Sequence, residues 1–545
     1  VPGSARRQIL IAGLTLALVV AVVLVTSRPT TSKDVPAAGG QYVEGVVGHP
    51  TYLNPLLATL DDVDSDVTAL TFSGLTRLDS TGQPVPDLAT SWTISPDGLT
   101  YTFQLRDATW QDGQPLTAAD VVFTINQIQA PGFPGSPDLV RSWQSIKVAA
   151  PDAHTVQFTL NEPMASFLES TTLGVVPAHA LRATNGKALL ASQFNAQPIG
   201  SGPFAVKDAS LREVDLVPNP YYYGKPPYLA GITFRYFATF SDALDALQRG
   251  DIQGVGGIPP DQVLGLANNQ RVNLVQQPEY AKLSLLVLNT QGTFFGDDVV
   301  RRAIDLAIDR AQIIQVGASG EGVPAGGPIA PNSWAYLAQS GAYTYDPAQA
   351  AKLLDQAGWR APSAGKIRQK DGKPFHFVLL AVNQPDRQRV ADEISRELRA
   401  VGLDAQVQTS AWTGIVQDYL VPRSFDAVLT EAYSPTADPD PYAFWDSSQA
   451  KTGLNVAGWS NRVADQLLED ARHQTDRSAR QADYAKFQAL FAQEQPSILL
   501  YHPLYAYAVP VSLKAMTLGV ILQPSDRFQN VADWYVRTRT ESQAP

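Results

Sequence analysis

The chain has 545 residues, 44% of them hydrophobic and 17% charged, so two or three packed domains are expected and a mostly disordered chain is excluded. Its net charge of −11, with no long basic run, leaves nucleic-acid binding without electrostatic support. The absence of cysteine excludes disulfides, a thiol nucleophile, thiolate metal sites and a lipidated cysteine anchor.

Arg6 and Arg7 precede an uncharged run from Ile9 to Val25. This length sits at the lower limit for a membrane-spanning helix and slightly exceeds a signal-peptide core. The flanking charges suit an uncleaved anchor over residues 9–26 with a cytoplasmic tail at 1–8. A cleaved secretory signal is the alternative, although no clear Ala-x-Ala site follows, and a twin-arginine export signal is a third. Each reading puts the body outside the cytoplasm. Residues 27–41 are rich in Pro, Thr, Ser, Ala and Gly and read as a flexible linker.

The folded body begins at Tyr42, with a short apolar strand at Val43–Val47 and an Asn54-Pro55 step. The stretch Ala89–Phe123 carries three local signals. Pro96-Asp97-Gly98 is a turn, because Pro presets φ and Gly accepts φ > 0. Leu99, Tyr101, Phe103 and Leu105 alternate with polar residues, the period of a half-buried strand. After a second turn at Asp112-Gly113, Thr117 and Asp120 form a capping-box pattern ahead of an apolar run. Ile146–Leu160 reads as a hairpin around Pro151-Asp152. A short helix is expected from Ser241, as its cap, to Gly250.

A strand from Ser284 leads into a helix over Asp297–Arg310, with Val300, Ala303, Ile304, Ala307 and Ile308 on one face. Asp346-Pro347 opens another helix, closed by Gly358. A strand from Phe375, a helix over Arg387–Val401 and strands near Ala405 and Phe425–Thr430 make a βαβ pattern. A last long helix spans Ala479–Gln493, before a strand over Pro496–Tyr501.

Catalytic motifs are missing: there is no Gly-x-Ser-x-Gly elbow, His-Glu-x-x-His, Walker loop or Gly-x-Gly-x-x-Gly. The six histidines fall at no ligand spacing. No catalytic residue, metal ligand or cofactor is therefore assigned. The candidate binding residues are Trp412 and the segment Tyr433–Trp445, beyond the C-terminal end of a strand, where α/β folds open their crevices. Aromatic rings there supply flat walls, and Asp438 and Asp440 supply acceptors for a cation. A Pro-stiffened surface turn is equally compatible with the composition. Gly254–Pro260 is a second candidate, since Gly256 and Gly257 would let a backbone approach closely; a plain Gly/Pro connection is the alternative. Arg387 and Arg389 carry forks that suit a carboxylate, although arginines opening a helix are commonly solvated.

Several of these segments share one resemblance. Trp92, the Ser95-Pro-Asp-Gly98 turn, Tyr101-Thr-Phe103, Leu105-Arg106, Trp110-x-Asp-Gly-x-Pro115 and Thr117-Ala-x-Asp120-Val-x-Phe123 together resemble the extracytoplasmic solute-binding proteins of ABC importers, in family 5, the peptide/nickel-binding family. Leu288-Asn-Thr290, Val299-x-Arg301-x-Ala303-Ile304, Tyr345-Asp-Pro347 and Pro496–Tyr501 follow in the family's order, so the resemblance spans Tyr42 to Arg537. It implies an α/β fold of two lobes, of the type II periplasmic-binding-protein kind. Lobe I would span 42–284 with an inserted subdomain at about 76–200. Lobe II would span 285–500, and 501–545 would return to lobe I and form a tail. Hinges are expected near Ser284 and Tyr501.

The implied function is non-catalytic. A small solute, first an oligopeptide or dipeptide, would be captured in the interlobe cleft and delivered to an ABC permease and its ATPase. A nickel chelate or oligosaccharide is the alternative ligand, and a hydrolase or a membrane-tethered sensor on the same scaffold is the rival class. A monomeric body is expected, held at the membrane by its N-terminal helix. In peptide-binding members an aromatic residue is followed three positions later by an Asp that binds the ligand's α-ammonium group. Here Tyr433 is followed by Thr436, whose hydroxyl supplies no charge. Asp438 and Asp440 would either substitute or only shape the loop.

Overall fold

The computed structural model describes residues 8, 12–17, 32–58, 61–182, 184, 186–266, 269–338, 344–363 and 365–542. Most of the expected tail and anchor, 1–26, lies outside the described residues. Among those described, no helix is long and apolar enough to cross a membrane.

The linker expected over 27–41 is a strand for part of its length. β1 (Ser32–Ala37) runs antiparallel to residues 537–542, with Ala37 opposite Arg537. Composition alone suggested flexibility, but the far end of the chain supplies the backbone partners that this segment lacks locally. The first lobe then opens with β2 (Gln41–Val47) and α1 (Asp62–Thr71).

A separate four-stranded unit follows, made of β3 (Ala89–Ile94), β4 (Thr100–Leu105), α2 (Ala118–Gln129), β5 (Lys147–Ala149) and β6 (Thr155–Thr159). Its strand order is β3-β4-β6-β5, antiparallel throughout. The alternation in β4 buries Tyr101, Phe103 and Leu105 and leaves Gln104 exposed. Gly98 turns the chain at φ +70°. The Thr117 amide donates to Asp120 Oδ2 at 2.9 Å, one half of the capping box. This unit has its own core, in which Phe103, Trp143, Phe158 and Phe167 pack edge-on or tilted.

The lobe resumes with β7 (Phe204–Ala209), β8 (Glu213–Pro218), β9 (Gly231–Phe237), α3 (Phe240–Arg249), β10 (Gly254–Gly256) and β11 (Val272–Pro278). The cap of α3 is Thr239, which accepts from the Asp242 amide at 3.1 Å, and not Ser241. Thr239 has the extended backbone a cap needs, whereas Ser241 is already inside the helix.

The second lobe contains β12 (Lys282–Leu288), α4 (Asp298–Ala307), β13 (Gly322–Pro324), β14 (His376–Val382), α5 (Pro385–Ala400), β15 (Asp404–Ser410), β16 (Ala427–Tyr433), α6 (Arg462–His473) and α7 (Arg477–Glu494). The chain ends with β17 (Ser497–Pro510) and β18 (Arg537–Ser542), the partner of β1.

One long sheet runs through both lobes in the order β7-β8-β9-β2-β10-β17-β12-β16-β14-β15, with β11 and β13 also paired to β17. β17 belongs to both halves. Its residues 497–501 pair with β12, and 504–510 pair with β11. The backbone therefore crosses from one set of partners to the other at 279–281 and again at 502–503. Alternation along β17 feeds four cores: Ile498 and Leu500, Leu499, Tyr505 with Tyr507 and Val509, and Ala506 with Ala508. A strand covered on both faces reads as a near-continuous apolar run, as this one does.

Candidate ligand cleft

The acidic run opening α1 shows how local structure sorts four similar residues. Asp61 caps the helix and accepts from the Val63 amide at 2.9 Å. Asp64 accepts from the amides of Thr51 and Tyr52 at 2.7 and 2.8 Å. Asp66 accepts both Nη atoms of Arg527 at 2.6 Å. Asp62 has no hydrogen bond or ion pair among the described residues and lines a cavity of about 360 Å³ between the lobes.

Both lobes wall this cavity. β2, β10 and β17 contribute Val46, Gly256 and Tyr505 from one side; α5, β16 and β17 contribute Arg387, Glu431 and Tyr501 from the other. Gly256 is required there, because a Cβ would lie 2.4 Å from the Tyr505 hydroxyl. Gly257 turns the loop at φ +66°. The Tyr505 side chain is buried, and its hydroxyl has no partner among the described residues.

The cations lining the cavity are already held. Arg387 Nη2 donates to Glu431 Oε2 at 2.7 Å, and Lys282 Nζ lies 2.8 Å from Glu279 Oε1. Arg527 is buried in a fork with Asp66 and also donates to Glu44 at 2.9 Å. The lining carboxylates are Asp62, Asp66, Glu279, Glu321, Asp386 and Glu431; the lining cations are Lys282, Arg387 and Arg527. The walls thus carry a formal excess of negative charge. Desolvation raises the pKa of Asp62 above the ordinary carboxylate value, and Lys282 pulls it back.

A second cavity, of about 110 Å³, adjoins the crossing segments at Tyr280 and His502 and is lined by Thr436, Asp438, Asp440, Trp334 and Phe444 among others. Neither aspartate is free. Asp438 is buried and held by both Nη atoms of Arg480 on α7, with Nη1 to Oδ2 at 2.7 Å. Asp440 pairs with Arg472 on α6 at 2.9 Å. The Thr436 hydroxyl donates to the Asp438 carbonyl at 3.2 Å. Of the two readings the sequence left open for this segment, loop-shaping fits these contacts. His502 Nδ1 donates to the Lys282 carbonyl at 2.8 Å, and burial lowers its pKa, so the ring is neutral.

The remaining candidates are dispersed. Trp412 is 45% exposed and lines a third cavity, on lobe II, of about 540 Å³. Arg389 donates to the carbonyls of Val316 and Gly317 at 3.2 and 3.3 Å, a structural role. Tyr433 ends β16, 44% exposed, with its hydroxyl donating to the Leu522 carbonyl at 3.3 Å. Burial, and then the charges of Asp62 and Glu279, raise its pKa. The cleft therefore gathers Gly256, Gly257 and Arg387, while Thr436, Asp438 and Asp440 sit together beside it.

The family model for "Bacterial extracellular solute-binding proteins, family 5 Middle" matches residues 83–453, more than half the chain. The chain belongs to family 5 of the bacterial extracellular solute-binding proteins. It is 30% identical over 524 residues to the "Oligopeptide-binding protein AppA" of Bacillus subtilis (strain 168), covering 94% of each chain. The structure of AppA from Bacillus subtilis in complex with a nonapeptide superposes with a TM-score of 0.71 at 28% identity, covering 92% of this chain and 100% of that one. NikZ from Campylobacter jejuni in complex with Ni(L-His) is similar at a TM-score of 0.71 and 28% identity, covering 91% and 99%. Family members are extracytoplasmic binding components of transport systems rather than enzymes.

Within this family 5 chain the inserted unit touches lobe II at more than one place, including His473 Nε2, 3.7 Å from Glu162 Oε2. The Ala437 amide donates to Glu169 Oε2 at 3.0 Å. Burial, and then the charge of Asp438, push the Glu169 pKa up to about 8. The sequence reading missed Glu169, Asp62, Glu279, Glu431 and Tyr505. The acidic run 61–66 was visible, but which of its members is free depends on partners that range from the next turn, for Asp61, to Arg527 at the far end of the chain, for Asp66.

Proposed function

We propose that this protein is the solute-binding component of an ABC importer. It captures a small peptide between its lobes and delivers it to a membrane permease served by an ATPase. The observation that carries this reading is the mixed-lobe cavity, walled by β2 and β10 on one side and β16 and α5 on the other, beside two backbone crossings that can act as a hinge. The similarity to a protein named as oligopeptide-binding, over nearly the whole of both chains, supports peptide as the solute class. Ligand favours closure only by binding the closed form better than the open one, and a cavity with walls on both lobes supplies that difference. In this reading the uncharged N-terminal run keeps the body beside its permease at high effective concentration.

A metal chelate is the second reading, favoured by the similarity to a protein solved with Ni(L-His). Native mass spectrometry of the purified chain, as isolated and after addition of a synthetic peptide pool, separates the two. Peptide adducts, with a raised melting temperature in the presence of the pool, are expected. A nickel–histidine adduct with no peptide bound would replace the peptide reading with the chelate one.

A further inference from the structure

The family's charged acceptor position holds Thr436 here, and the two nearby aspartates are already neutralised by Arg480 and Arg472. A peptide ammonium group brought into this cleft needs another counter-charge. Asp62 stands at the start of α1 on the opposite lobe, exposed to the cavity and without a partner, while Asp61, Asp64 and Asp66 are each consumed by structure.

Two further observations bear on the same place. Tyr505 lines the cavity with a hydroxyl that is buried and unpartnered, lying against Gly256 on the wall. Buried hydroxyls normally find a partner, and one left open beside a cavity is suited to a ligand's polar group. Tyr433 stands opposite Lys282 across the β16–β12 pair, and Lys282 lines the cavity, so Tyr433 borders the same stretch of the cleft. An aromatic face beside carboxylates is a suitable seat for an ammonium group.

We infer that Asp62 is the acceptor for the ligand's primary ammonium group, so that this chain reads the cation from lobe I and not from the Thr436 position. Tyr433 flanks that group, and Tyr505 takes a polar atom deeper in the cleft. The inference rests on the peptide reading above. It makes Asp62 a specificity-determining residue. It also places the ligand's charge so that its attraction to lobe I adds to contacts with β16 on lobe II only when the lobes are closed.

The test uses the full chain, its Asp62→Asn and Asp62→Glu variants, and a synthetic pool of di- to nonapeptides read by native mass spectrometry. The pool has three sets: free N-termini, N-acetylated peptides, and N-acetylated peptides with an internal lysine. The unaltered chain is expected to favour free amines over acetylated peptides by about tenfold or more, as for a charge-assisted hydrogen bond. Asp62→Asn removes that preference while peptides still bind, and Asp62→Glu keeps part of it. Retention equal to the free-amine set by the lysine set would identify the ammonium as a side-chain one, still held by Asp62. An unchanged preference in Asp62→Asn overturns the inference and leaves the peptide reading standing. Failure of every set to bind overturns both. Asp62 is exposed, so its substitution leaves the melting temperature of the unliganded chain within a few degrees; Asp62→Glu is the check on any loss of folding.

Discussion

At the scale of single residues, charge pairing separates structural groups from those available to a ligand. Arg527 is buried with Glu44 and Asp66, and each carboxylate depends on its guanidinium. Arg527→Met leaves two buried carboxylates without a counter-ion, and a loss of about 3–5 kcal/mol is expected. Urea denaturation checks this as a lower midpoint at unchanged slope. Asp438 is predicted to behave as a structural residue: Asp438→Asn lowers the melting temperature through Arg480 but leaves the free-amine preference intact. A lost preference in that variant would show that the loop, and not Asp62, reads the ammonium. These assignments were not legible in the sequence. Asp438 and Asp62 look alike as letters, and only the arginine more than forty residues further on, folded back from α7, distinguishes them.

At the scale of elements, the local signals translated well wherever one segment contained its own instructions. The capping box at Thr117 and the turn at Gly98 depend on residues within a few positions of each other, and both formed. The misplaced cap of α3 and the unexpected strand β1 are the complementary cases. The cap depended on backbone geometry two residues upstream, and β1 depended on a partner at the other end of the chain. The Glu169–Ala437 contact makes a prediction about pH. With the Ala437 contact made, as here, burial holds the Glu169 pKa at about 8; if the lobes part at this contact, Glu169 regains water and its ordinary carboxylate pKa. Closure therefore takes up a proton. Its contribution is fully present below the ordinary carboxylate value and is lost as pH rises through about 8, with a limit of roughly tenfold per pH unit for one proton. Peptide affinity is expected to fall between pH 5 and pH 7.5, below the range where the ligand's own amine titrates. Titration calorimetry of the Glu169→Gln variant should give a flatter profile, and an equally steep one would remove Glu169 from the closure equilibrium.

At the scale of the whole molecule, β17 joins the two lobes into one sheet while the backbone crosses between them at 279–281 and 502–503. The two-lobed plan was legible because the family's segments recur in order along the chain. The cleft's composition was not, since its walls come from α1, β2, β10, α5, β16 and β17, which are close only after folding. The same architecture implies that bound solute shifts the lobes toward each other. The absence of native cysteine permits a direct measurement. Gln248→Cys on α3 and Asp392→Cys on α5 place one dye on each lobe, at exposed positions on helices whose first turns border the cleft. Single-molecule energy transfer on this double variant should show a shorter interdye distance when the peptide pool is added, with the closed population saturating alongside binding. An interdye distance that stays the same when peptide saturates the protein would contradict capture between the lobes.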